Sequence, residues 1–209
     1  MTNVFDLTGR KAVVTGGSRG IGGAIAELFL EHGAEVAICH LDDHDNAESF
    51  KDRLKTRGLE LHSTECDVSD PAAVAAFAEW AQERMGSVDI VVNSAGLGGG
   101  DRPFSMTDDS DWDRIVGVNL RGTMLVTKAF FGAMVSRNYG RIINVASQLA
   151  YKGAPGLAHY CAAKAGVVGF TRALAYEGAP YNVMVNAIAP GPVDTELLRN
   201  HSKEWLEAK

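Results

Sequence analysis

Short apolar runs alternate with longer mixed stretches along the whole chain. The runs at 11–15, 35–40, 60–66, 89–93, 140–146 and 183–189 are too short for helices and predict strands. The stretches at 21–32, 46–57, 71–85, 109–136 and 158–178 predict helices. Such alternation argues for an α/β protein with a parallel sheet covered on both faces. Local signals agree with these bounds. Pro71 stands behind Asp70, as a first-turn proline stands behind its N-cap. Gly33, Gly58 and Gly86 follow three of the predicted helices, where C-terminal caps stand. The acidic group Asp108, Asp109, Asp111 and Asp113 opens the longest helix, and capping and the helix dipole account for it. Gly98-Gly99-Gly100 marks a flexible loop after the fourth strand.

Two of the helices are apolar on more than one side. Val116, Leu120, Met124, Ala129, Phe130 and Phe131 lie on 109–136, and Ala165, Gly166, Val168, Gly169 and Phe170 on 158–178. One face of each must cover the sheet, and the remainder predicts a subunit interface, hence a homodimer or homotetramer. The chain has 209 residues, enough for one substantial core, and reads as a single domain over 1–209. Its net charge of −6 does not suggest a nucleic-acid or anionic-membrane partner. No run is long and apolar enough to span a bilayer, and Met1–Asp6 lacks a leader's charged and apolar regions, so a cytoplasmic protein is expected. Cys39, Cys66 and Cys161 lack metal-ligand spacing and read as structural thiols; no metal site is expected. His159 reads as solvated rather than as part of a pocket.

Candidate chemistry starts at the N-terminus. The strand at 11–15 runs into Thr15-Gly16-Gly17-Ser18-Arg19-Gly20-Ile21-Gly22 and then a helix. Strand, glycine-rich turn and helix form the first unit of a doubly wound, Rossmann-type dinucleotide fold. The glycines let a pyrophosphate approach the backbone, and the helix N-terminus favours its charge. The spacing is Gly-x-x-x-Gly-x-Gly rather than the commoner Gly-x-Gly-x-x-Gly. A second pattern is Tyr160 and Lys164, four apart on one helix face, with Ser147 thirteen residues before the Tyr. Alone that spacing marks neighbours on a helix. Beside a hydride carrier it describes an acid/base: a phenol whose pKa of about 10 an ammonium would lower, and a hydroxyl to polarise a carbonyl.

These segments together resemble the short-chain dehydrogenase/reductase family. Thr15–Gly22 looks like its cofactor loop. Asn93-Ser94-Ala95-Gly96 resembles its Asn-Asn-Ala-Gly motif, with Ser94 in place of the second Asn. Asn119 matches a helix Asn, Ser147 with Tyr160-x-x-x-Lys164 the catalytic set, and Asn186–Gly191 the segment that reaches the nicotinamide. The order is the family's own from residue 11 to about 195.

The resemblance implies a doubly wound fold and a reversible ketone/secondary alcohol oxidoreductase, most like the 3-oxoacyl thioester reductases, with sugar and polyol dehydrogenases close behind. A nucleotide-binding scaffold without catalysis is the remote alternative. Tyr160 would be the general acid or base. Lys164 would lower its pKa and bond the nicotinamide ribose, Ser147 would polarise the carbonyl, and Asn119 would hold a relay water. Gly16, Ser18, Arg19, Gly20, Ile21, Gly22, Asn93, Ala95 and Gly96 would bind the cofactor, with Asp67 and Val68 at the adenine. Pro190, Gly191, Val193 and Thr195 would cradle the nicotinamide. His40 stands where NAD-preferring members carry an Asp, and Arg19 where NADP members carry a base. NADP(H) is therefore favoured over NAD(H), although Asp42 and Asp43 could oppose its 2′-phosphate or mimic the missing Asp. Family members continue past 190–191 through a substrate helix to one more strand. Here 192–209 reads as the start of that mobile lid, with Leu198, Trp205 and Leu206 at helical spacing. No final strand can be drawn, so the sequence is expected to lack its natural C-terminus.

Overall fold

The structure, a computed structural model, describes residues 5–100 and 102–199. Its elements run β1 (Lys11–Thr15), α1 (Gly20–Glu31), β2 (Glu35–His40), α2 (His44–Lys55), β3 (Leu61–Glu65), α3 (Pro71–Met85), β4 (Ile90–Asn93), α4 (Asp109–Val116), α5 (Thr123–Ser136), β5 (Gly140–Val145), α6 (Leu149–Lys152), α7 (Ala158–Gly178), β6 (Val183–Ile188) and α8 (Glu196–Arg199). The strands pair in parallel in the order β3-β2-β1-β4-β5-β6. The chain therefore winds outward from β1 to β3, returns across the sheet through α3, and winds the other way.

The continuous apolar strands follow from burial on both faces, with alternate side chains entering different cores. Val13, Ala37, Val91 and Ile142 meet Phe77, Phe130 and Met134 of α3 and α5. Val14, Val36, Ile38 and Val92 meet Ala26, Leu30, Phe50 and Leu54 of α1 and α2. The second layer thins toward β6: Val183 and Val185 are buried in the first core, while Met184 and Ile188 are 47% and 42% exposed. Among the described residues β6 pairs on one side only.

Asp70 caps α3 by accepting from the Ala72 amide at 2.9 Å, with Pro71 at the first helical position. Gly33, Gly58 and Gly86 take positive φ where caps were expected. Asp108 makes no side-chain cap to α4; it and Asp111 instead face Arg102 at 3.5 and 3.6 Å. Two further expectations change. The helix at 109–136 is broken by a π-helical turn at Gly117–Gly122. Phe130 falls on the face of that helix that covers the sheet, as one face had to: it is 1% exposed and packs edge-on to Phe77. His159 is not solvated: it is 4% exposed, with its ring stacked on Trp112. Trp205 and Leu206 lie outside the described residues. Cys39 and Cys66 are buried as expected, and contact with Cys66, then burial, pushes the Cys39 thiol well above its usual range.

Candidate active site

The sheet's order reverses between β1 and β4, and a cleft opens at their C-terminal ends. Its volume is about 660 Å³. Thr15 ends β1, and its Oγ1 accepts from the amides of both Ser94 and Ala95 at 3.1 Å. One hydroxyl thus ties the glycine-rich turn to the end of β4. Arg19 supplies no side-chain cap to α1, so the first-turn amides are left for a ligand or water. Gly22 packs so tightly on this turn that a Cβ would overlap the carbonyl oxygen of Gly16.

Gly16, Ser18, Arg19, Gly20, Ile21 and Gly22 line one end of the cleft, with His40, Asp67 and Val68. The His40 ring is 6% exposed and its Nδ1 has no partner. Asp67 caps its own turn, accepting from the amide and hydroxyl of Ser69 at 2.8 and 2.7 Å. Asp43 turns inward after Asp42, a non-glycine residue held at φ 49°. Its carboxylate accepts from the Ser18 hydroxyl and from Asn46 Nδ2 at 2.8 Å, and Arg19 Nε lies 3.4 Å away. Arg19 also pairs with Glu196 at the start of α8.

The other end holds Asn119, Ser147, Tyr160 and Lys164. Ser147 follows β5; Tyr160 and Lys164 lie one turn apart on α7. Lys164 Nζ donates to the Val145 carbonyl at 2.8 Å and sits 5.8 Å from the Tyr160 ring centroid. Burial pulls its pKa down to about 8. Burial raises the Tyr160 phenol above its usual range, and the hydrogen bond with Ser147 offsets only part of that. This differs from the expected lowering by Lys164: here desolvation governs the phenol. Asn119 rides on the π-helical turn. Its Nδ2 donates to the carbonyls of Ile115 and Leu97, both at 3.0 Å, while its buried Oδ1 has no partner. Gly96 passes so close that a Cβ there would lie 2.6 Å from that Oδ1 and 3.6 Å from Lys164 Nζ.

Ala95, Gly96, Pro190, Gly191, Val193 and Thr195 also line the cleft. Asn93 does not: its Nδ2 donates to Thr127 Oγ1 at 2.9 Å and to Asn144 Oδ1 at 2.8 Å inside the core. Asn144 in turn donates to Thr171 at 2.9 Å, so the side chain expected at the cofactor belongs to a buried network joining β4, β5, α5 and α7. Arg114, Gln148, Leu149, Leu157 and Glu196 also line the cleft; Glu196 falls in the segment read as the lid, and Arg114 is the one that sequence reasoning missed. Its place on a helix predicted only as sheet cover and interface carries no signal of the cleft.

Fold and site define a dinucleotide-type cleft with a Ser, Tyr and Lys at its reactive end. The short chain dehydrogenase family model matches residues 10–205, and the chain belongs to that family, as an oxidoreductase. It is 41% identical over 204 residues to the 3-oxoacyl-(acyl-carrier-protein) reductase FabG of Pseudomonas aeruginosa, covering 98% of this chain and 82% of the relative. It is 36% identical over 205 residues to the reductase of the same name from Chlamydia muridarum, covering 96% and 82%. A putative short-chain alcohol dehydrogenase from Sinorhizobium meliloti 1021 superposes with a TM-score of 0.90 at 38% identity, covering 99% of this chain and 82% of that one.

Proposed function

We propose that the protein reduces the ketone of 3-oxoacyl thioesters to a secondary alcohol with NADPH. The observation that carries this reading is the meeting of Asn119, Ser147, Tyr160 and Lys164 in the cleft that begins at the glycine-rich turn. The residues fit a nicotinamide dinucleotide: the uncapped α1 start, the bare backbone at Gly22 and the unpartnered Asn119 Oδ1 all await a polar ligand. Gly16–Gly22 would hold its pyrophosphate, Asp67 and Val68 its adenine, and Pro190, Gly191, Val193 and Thr195 its nicotinamide. When bound, it supplies the hydride.

The chain's own residues supply the proton. Burial favours the protonated phenol of Tyr160, the form a donor needs. Its proton passes to the carbonyl oxygen as negative charge develops there, and the Ser147 hydroxyl donates to the same oxygen. Lys164 and Asn119 both border Gly96, so a water held between them would return the proton from solvent. The segment 192–199 forms the start of a lid over the pocket, and the subunits associate through the outer faces of α5 and α7.

NADPH oxidation with acetoacetyl thioesters tests the reading, run beside diketones and keto sugars. Turnover of the thioesters is expected; turnover of keto sugars alone would move the protein to the polyol dehydrogenases. Replacing Tyr160 with Phe should lower kcat by about 10²–10⁴-fold, the usual worth of a general acid, with cofactor affinity unchanged. Retained activity would remove Tyr160 from the role. Arg19→Ala should weaken NADPH far more than NADH.

A further inference from the structure

The cofactor reading makes Arg19 the partner of a 2′-phosphate, but Arg19 is not idle. Its Nε faces Asp43 at 3.4 Å and its Nη1 is paired with Glu196. The cleft's other cationic side chains are engaged elsewhere: Lys164 donates to the Val145 carbonyl, and Arg114 stands beside Asp111 at 3.5 Å. Arg19 is the one that belongs to the glycine-rich turn. A dianion arriving there must share or displace a carboxylate.

The two carboxylates are not equally able to leave. Asp43 is 9% exposed at its side chain and is tied down by Ser18 and Asn46. Glu196 is 51% exposed at its side chain and begins the one-turn helix α8. It comes from a segment 177 residues away in the chain, beside Thr195, which packs near Gly20. Rotation about its own side chain frees Arg19 without moving the turn.

The geometry points to Glu196 as a specificity-determining residue: it competes with a cofactor's 2′-phosphate for Arg19, and so lowers affinity for NADPH while leaving NADH alone. This rests on Arg19 being the phosphate partner. A ribose without the phosphate brings no second anion, so the Arg19–Glu196 pair persists with NADH. Asp43 stays on Arg19 with either cofactor and orients its side chain. Cofactor choice is then set in part by the lid, not only by the loop after β2.

The test is direct binding of NADPH and of NADH, followed by nucleotide fluorescence, in the wild type, Glu196→Gln, Arg19→Ala and the double variant. An exposed ion pair is worth roughly 0.2–1 kcal/mol, so E196Q should tighten NADPH about 1.5- to 5-fold. NADH affinity should not change. In the Arg19→Ala background the same substitution should do nothing, and added salt should shrink the effect in the wild-type background. Equal tightening of both cofactors, or a gain that survives without Arg19, would overturn the inference. So would no gain at all while Arg19→Ala still weakens NADPH selectively, a result that leaves the NADPH reading standing. If Arg19→Ala weakens both cofactors alike, the NADPH reading falls and the inference with it.

Discussion

Lys164 is a charged group that folding places at 6% exposure. Its pKa falls to about 8 from desolvation. Below that value the ammonium is charged in both the folded and unfolded chain, and the fold carries the full cost of burying it. Between about 8 and the ordinary lysine value near 10.4, the folded chain gives up its proton while the unfolded one keeps it, so stability rises with pH across that window. Lys164→Met should therefore gain most over the wild type at neutral pH, and the gain should shrink between pH 8 and 10. Thermal unfolding of both proteins at pH 7, 8, 9 and 10 measures it, and a constant difference would refute the buried ammonium. The identity of this residue was legible from four-residue spacing and a known motif. Its hydrogen bond to Val145 was not, because nothing in the sequence says which strand end lies beneath α7. Asn93 marks the same limit: the motif names the residue, but the sheet's register turns its side chain toward Asn144. The contact of Ser18 with Asp43 spans 25 residues and has no local signature.

At the scale of elements, the bounds of strands and helices were close to those expected, since short apolar runs and glycine caps write themselves into the chain. The π-helical turn at Gly117–Gly122 did not, because it preserves helical composition and changes only the hydrogen-bond pattern. It is the element that carries Asn119 to the cleft, in keeping with the habit of such turns to occur at functional sites. Asn119 bonds both its own helix and the Leu97 carbonyl of the loop after β4. Asn119→Ala removes two buried donors' bonds and leaves two carbonyls short of a partner. A loss of about 1–3 kcal/mol is expected in denaturant unfolding. Amide exchange should also quicken in residues 96–100 more than in β4. If that loop keeps its protection, the side chain does not anchor it.

For the molecule as a whole, the parallel sheet was readable from the alternation of elements, and its doubly wound form from the glycine-rich turn and the family's motifs; the strand order comes from the structure. The uneven cover of the sheet was not, since Met184 and Ile188 look as apolar in the sequence as the buried strand residues do. An apolar strand face that is half exposed favours association. Met184→Lys should lower the associated fraction in light scattering at high protein concentration, with the fold unchanged by circular dichroism. No helix among the described residues is long and apolar enough to cross a membrane. The cleft itself exists because the two halves of the sheet part company, and Thr15 stands at that parting. Buried to 1% exposure and not itself part of the cleft's lining, it is a rivet between them, holding the lining residues Ser94 and Ala95 by their amides. Thr15→Val would keep its shape and strand two amides without an acceptor. The walls would then be free to drift, and the protein should lose dinucleotide affinity through a residue the dinucleotide never meets. The width of the binding site is then a mechanical tolerance that one buried oxygen helps to hold.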